Sequence, residues 1–419
     1  MKQTFFILLI LPLAIAAQNI TSLSLQKAYD LAEQHYPMIK QRDLLKQTSG
    51  LSIENLSRGF LPQVSISGQA TYQSDVTQFN IPITGVTVAP LSKDQYRMVA
   101  DVNQLLYDGG ITREQKNLQQ LNEDAEQQKL EVELYKVKER INQLYLGVLF
   151  TDEQLKQVAL VKDDINTGIK KTEAMVNNGV AFRSNLNMLK AELLKTEQHA
   201  IELKASRKGL LDVMSLFIGE SLDENCVLEK PQVPGLLNND IQRPELKLFS
   251  AQEKFMAGQE KLIDARNKPR ASVFVQGGYG RPGLNLLDNS FNLFYIGGLR
   301  FNWSFGGLYT QKREKQLAAL NQKGVEIQKE TFLLNTNTAL KQQQAELDKL
   351  NQLISKDAEI IDLRIKVKEA AKAQLENGVI TASDYLREVN AEDQSRQSLI
   401  THQLQLLQAQ INYQTISGK

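Results

Sequence analysis

The residues able to do chemistry are few and scattered. A single cysteine, Cys226, permits neither an intramolecular disulfide nor a thiolate zinc site. The three histidines, His35, His199 and His402, are dispersed along the chain and argue against a histidine-ligated metal centre. Gly278-Tyr279-Gly280-Arg281-Pro282-Gly283 fits GxGxxG, the spacing that cradles a dinucleotide pyrophosphate. That use needs a strand leading in and a helix opening within the motif. Pro282 and the Leu-Asn-Leu-Leu-Asp-Asn-Ser after it open no helix, so the segment reads as a hairpin loop between strands. Asp163-Asp164 lies on a long helical stretch and reads as a solvated pair rather than an acid–base dyad. There is no GxSxG, HExxH or phosphate-binding loop. With no clustered nucleophile, base or metal ligands, the expectation is a protein that is not an enzyme and carries no cofactor.

Composition sets the frame for the elements. Lys and Arg number 49 against 48 Asp and Glu, so no strong field recruits nucleic acid. A mean hydropathy of −0.33 excludes a polytopic helical membrane protein. Lys2 followed by the apolar run from Phe5 to Ile15, with Ala14-Ile15-Ala16 behind it, has the form of a secretory leader over residues 1–17. No cysteine follows to carry a lipid anchor, and no later stretch holds 18 consecutive apolar residues.

The chain repeats itself. Pro37 and Pro62 stand 25 residues apart, as do Pro244 and Pro269. After each second proline comes a strand-like run, then another ending in a glycine pair, Gly109-Gly110 and Gly306-Gly307. Each long helical stretch that follows is interrupted at Asn-Gly-Val, at Gly179 and again at Gly378, a shift of 199 residues. LFIG ending at Gly219 and TISG ending at Gly418 close the two halves. This ordered recurrence is the signature of gene duplication. Apolar positions alternate steps of three and four from Ile141 to Val176 and back from Leu186 to Phe217, and Leu333, Leu340, Leu347, Ile354 and Ile361 are spaced by seven. Such spacing packs helices along a supercoiled seam. One helix over 111–178 would span roughly 100 Å at about 1.5 Å per residue. Thr, Lys and Arg within the seam suggest a wide assembly rather than a tight two-stranded core.

Four strand-like runs, about 62–73, 94–107, 270–280 and 293–305, alternate apolar with polar residues. Alternation gives each strand one apolar and one polar face, and about ten residues is the length of a tilted membrane strand. Tyr72, Tyr96, Trp303 and Phe305, near the strand ends, fit a lipid-facing aromatic girdle. Open strand edges are not tolerated in lipid. Four strands cannot close a barrel alone, whereas three copies supply twelve.

The landmarks together resemble the TolC-type outer-membrane factor family over essentially the whole mature chain. Leu25-x-x-Ala28-x-x-x-Ala32 with Pro37 resembles its first helix, and Phe60-Leu61-Pro62 its approach to the barrel. Leu106-Tyr107-Asp108-Gly109-Gly110 resembles the strand exit. Gly179-Val180 and Gly378-Val379-x-Thr381-x-x-Asp384 resemble the tip turns. The resemblance implies an α+β membrane protein: a homotrimeric twelve-stranded outer-membrane β-barrel continued by a twelve-helix periplasmic α-barrel tunnel. Each chain would supply two repeats, 18–220 with a helical hairpin at 111–218 and 244–419 with one at 308–412. Small helices and strands around the linker 221–243 and at the C-terminus would form an equatorial belt. The implied role is a passive exit duct for efflux or secretion. Its implied partners are outer-membrane lipid, a periplasmic adaptor (membrane fusion protein) and an RND-type or ABC-type inner-membrane transporter. Gly179, Val180, Gly378, Val379 and Thr381 would dock the adaptor. Asp384 would point into the periplasmic aperture, with Arg387 one turn on able to pair with it and weaken the ring's charge; Asp384 also reads as a cap of the returning helix, and the two roles are compatible. Ser184-Asn185-Leu186 departs from the family by lacking the acid often found at the first tip. The alternative is a periplasmic coiled-coil structural or tethering protein whose strands form a soluble cap.

Overall fold

The computed structural model describes residues 20–78, 90–232 and 240–419. The expected leader over 1–17 lies outside them, as does part of the linker at 233–239. The chain divides into two compact units, one of residues 41–129 and 245–331, the other holding the remainder.

The first unit is built on a four-stranded antiparallel sheet. Its strands are β2 (Gln63–Tyr72), β3 (Asp94–Tyr107), β5 (Arg270–Arg281) and β6 (Asn292–Asn302), in the order β2-β3-β5-β6. Helices α2 (Gln41–Arg58) and α5 (Pro244–Arg266) lead into its two hairpins. The register aligns Ile66 with Ala100, Ala100 with Gly277, and Gly277 with Tyr295. Because the side-chain period is two, this alignment gathers every apolar set on one face. Val64, Met98, Val275 and Leu299 share it, and it is open to solvent: Leu293 is 84% exposed, Tyr295 82% and Phe301 69%. Its charged members among the described residues, Asp94 and Arg281, pair with each other. The opposite face carries Ser65, Ser67, Gln69, Arg97, Asp101, Gln276, Arg300 and Asn302. Neither β2 nor β6 has a second neighbour among the described residues, so both edges are open.

Three expected strands end within a residue or two of the observed ones, and the fourth is corrected. β6 stops at Asn302, so Trp303 and Phe305 stand beyond it. The Trp303 indole N–H donates to the Asn267 carbonyl at 3.1 Å, and its ring lies 4.7 Å from Phe305. The GxGxxG segment begins inside β5, with Gly278 and Gly280 in the ladder; no helix opens there.

The second unit contains most of α3 (Ile111–Asn177) and α6 (Leu308–Glu376), together with α4 (Arg183–Ile218) and α7 (Ala382–Ser417). Every seam position between Ile141 and Val176 is buried or half-buried, as are Leu340, Leu347 and Ile361 on α6. The polar seam residues have a local explanation. Thr151 Oγ1 donates to the Val148 carbonyl at 2.8 Å, Lys162 pairs with Glu197 at 2.6 Å, and Arg207 pairs with Asp152 at 2.5 Å. These three are satisfied within the chain, whereas the buried Thr172 hydroxyl on the same seam has no partner among the described residues.

The belt also differs from expectation. β4 (Leu222–Leu228) pairs in parallel with β1 (Ile20–Leu23), which precedes α1 (Leu25–His35). Leu23, Ala28, Ile141, Leu211, Cys226 and Ile411 close a core around this pair. Within the described part of 219–243 there is no helix, and α7 runs unbroken to Ser417 instead of giving separate C-terminal elements.

Candidate functional site

The two helical hairpins turn by the same device. Gly179 and Gly378 adopt left-handed backbone, φ +73° and +69°. At the first turn the Gly179 N–H reaches the Val176 carbonyl at 3.0 Å and the Val180 N–H reaches Met175 at 2.8 Å. At the second, Gly378 reaches Leu375 at 3.0 Å and Val379 reaches Gln374 at 2.8 Å. These are paired 5→2 and 6→1 bonds, the Schellman closure, and its left-handed residue is where a side chain would be strained. The closure turns the next residue outward. Val180 is 70% exposed and Val379 71%, with Phe182 exposed beside them. The turns are neighbours, since Met175 Cε stands 3.8 Å from where a Cβ on Gly378 would lie.

The returning helices start differently. Thr381 caps α7: its Oγ1 accepts from the Asp384 N–H at 3.2 Å, and Asp384 Oδ2 accepts from the Thr381 N–H at 3.1 Å. This is a complete capping box. The Thr381 hydroxyl and backbone hold the Asp384 carboxyl below its ordinary range. The corresponding cap of α4 is Phe182, which offers no side-chain acceptor. Arg387 Nη2 stands 3.9 Å from Asp384 and its Nε 3.4 Å from Glu388, so its charge is divided between the two carboxylates.

Several turns inward along the hairpins lies a charged cluster that the sequence reading missed. Lys368 Nζ on α6 reaches Asp164 Oδ2 on α3 at 2.8 Å and Glu392 Oε2 on α7 at 2.5 Å. Arg396 Nε reaches the other oxygen of Glu392 at 2.7 Å. The Glu392 side chain is 4% exposed. Burial presses its carboxyl toward the neutral form, but Lys368 and Arg396 outweigh it and hold it below the ordinary range. Burial likewise opposes the charge on Lys368, and its two carboxylates outweigh that and raise it. Asp164 is therefore an inter-helix ion-pair partner rather than a solvated residue, while Asp163 beside it is exposed. A signal for this cluster was present, because Lys368 falls seven residues after Ile361 in the apolar heptad.

The other sequence-expected positions are divided. Tyr72 and Tyr96 lie on the apolar sheet face, Tyr72 opposite Asp94 and Tyr96 opposite Ala70. Trp303 and Phe305 are exposed but off the strand. Among the described residues no group of three metal-ligating side chains occurs. His402 faces Asp357 at 2.5 Å, linking α7 to α6.

No protein-family model matches the chain, and no curated relative matches it. Solved structures do. CusC, which undergoes conformational changes accompanying folding and transmembrane channel formation, superposes with a TM-score of 0.67 at 14% identity, covering 94% of this chain and 91% of that one. The outer-membrane channel OprN gives 0.67 at 12%, covering 94% and 89%. The open state of the Neisseria gonorrhoeae MtrE outer-membrane channel gives 0.66 at 14%, covering 94% and 88%. The chain thus has the fold of outer-membrane channel proteins along nearly its whole length.

Proposed function

We propose that the chain is an outer-membrane channel-tunnel, the passive exit duct of a tripartite efflux or secretion system. In this reading three copies close a twelve-stranded barrel in the outer membrane and a twelve-helix tunnel in the periplasm. The observation that carries it is the four-stranded sheet: one face apolar and exposed, the other polar, and both edges unpaired. A sheet with this division fits lipid on one side and water on the other, and its edges demand more strands. Apolar side chains seven apart, Leu320, Ile327 and Leu334, then Leu353, Ile360 and Val367, also stay exposed on α6. They fit a seam against another copy. No helix among the described residues is long and apolar enough to cross a membrane, which is compatible with spanning by strands.

The energy for transport would come from an RND-type or ABC-type inner-membrane transporter, reached through a periplasmic adaptor. The turn residues Gly179, Val180, Gly378 and Val379, with Thr381 at the α7 cap, fit the docking role, since they are rigidly closed and present exposed valines. Replacing Val180 and Val379 with Trp is expected to abolish export while assembly persists; normal export would remove the docking role. At the same end Asp384, repeated by three-fold symmetry, would place three carboxylates around the aperture and favour cations. The test of the channel reading is single-channel conductance of the detergent-purified protein in planar bilayers. Cation-selective steps are expected, with Asp384→Ala reducing the selectivity. A protein that leaves the cell fraction without detergent and gives no steps would instead fit the tethering role.

A further inference from the structure

The polar face of the sheet is not uniformly polar. Two aromatic rings lie on it, each directly opposite a glycine: Phe294 opposite Gly278, and Phe274 opposite Gly298. A Cβ on Gly278 would run into the Phe294 ring, and one on Gly298 would stand 3.3 Å from Phe274. The glycines are thus the spaces into which the rings fold flat against the sheet. An arginine lies over each ring. The Arg97 guanidinium is 4.9 Å from the Phe294 centroid, and that of Arg300 is 4.7 Å from Phe274. Neither arginine forms an ion pair among the described residues. The one acid that shares this face in the ladder, Asp101, accepts instead from Gln276 Nε2 at 2.9 Å.

A guanidinium stacked on a ring is positioned without being neutralised, and its N–H fork remains free along its edge. Arg97 aligns with Gly280 and Arg300 with Ser272, near opposite ends of β5. Eight residues of strand separate them by about 26 Å at about 3.3 Å per residue. Resting on the channel reading above, in which this face lines the lumen, we infer that the barrel wall carries two arginine–phenylalanine stations that bind organic oxyanions, the carboxylate, sulfonate or phosphate of a planar solute. The charge and fork bind the anion, and the exposed plane of the guanidinium, backed by the ring, accepts an aromatic body. This assigns the barrel wall a preference for anionic aromatic cargo, set by residues of the sheet rather than by Asp384.

The probe is pyrene tetrasulfonate, a planar aromatic tetra-anion, added to full-length channels in planar bilayers. It is expected to reduce wild-type conductance in a concentration-dependent way. In R97Q/R300Q the half-blocking concentration is expected to rise about tenfold, since charge-assisted bonds are roughly twice as strong as neutral ones. R97K/R300K, which keeps the charge and loses the fork, should fall between. Equal block of wild type and R97Q/R300Q, in channels of the same unblocked conductance, would overturn the inference while leaving the channel standing. Wild-type channels that conduct but are not blocked would do the same. Absence of any conductance would overturn both.

Discussion

Lys368 stands where the α6 heptad calls for an apolar residue, and its two carboxylate partners arrive from α3 and α7. Removing one member of a buried pair costs about 3–5 kcal/mol, whereas replacing both by apolar groups is often neutral; without Lys368 the buried Glu392 still keeps Arg396, so the cost here falls below that range. Lys368→Leu is therefore expected to destabilise the purified protein markedly, and Lys368→Leu with Glu392→Leu much less. Denaturant midpoints of the two variants would show this, and a double variant no better than the single one would contradict it. The sign with pH follows from the shifts. Glu392 is depressed, so its stabilisation is present above the ordinary carboxylate pKa of about 4.3 and lost as pH falls through its lower folded value. Lys368 is raised, so its stabilisation is present below about 10.4 and lost as pH rises through its higher folded value. Asp393, raised by burial, has the opposite sense. Glu392 contributes to that rise, so the double variant relieves part of it rather than leaving it unchanged. At this scale the sequence was partly legible. Asn-Gly after a helical run announces a C-terminal cap, and Thr381 with Asp384 announces a capping box. The ion cluster was overlooked because its members lie up to 232 residues apart, from Asp164 to Arg396, and only the broken heptad at Lys368 marked it.

Among elements, the strands were legible because a one-sided environment imposes a period of two, and the register brings all four apolar sets to one face. The end of β6 was not, because the alternation continues through Phe305 although the backbone has already left the ladder. What ends the strand is the turn toward α6, with the Trp303 indole held on the Asn267 carbonyl, and periodicity carries no sign of that. β1 was missed for a different reason: it is four residues long and its partner β4 lies about 200 residues on, so neither shows a period of its own. Phe301 shares the apolar face with Ala271, and Asn302 shares the polar face with Arg270. Phe301→Arg is expected to cost about 2–4 kcal/mol of membrane insertion if it lies near the midplane and less near an interface, whereas Asn302→Arg is tolerated. The fraction of each variant recovered folded from outer membranes measures this. The reverse order of effects would exchange the two faces.

For the whole molecule, the two helical hairpins were readable from spacing alone, and the fold matches solved outer-membrane channels at 12–14% identity. The number of copies is not written in one chain's periodicity. The proposal of three copies rests on what the described residues leave uncovered: two open sheet edges, an exposed apolar sheet face and exposed heptad stripes on α6. Four strands per chain reach twelve with three copies, a number in the range of outer-membrane barrels. The most direct test is the mass of the detergent-solubilised protein, measured by light scattering with the detergent contribution subtracted. Three chains, each at most 47.2 kDa, are expected, with the strand content intact and with aggregation when detergent is withdrawn. A single folded chain, stable in buffer without detergent, would contradict the account.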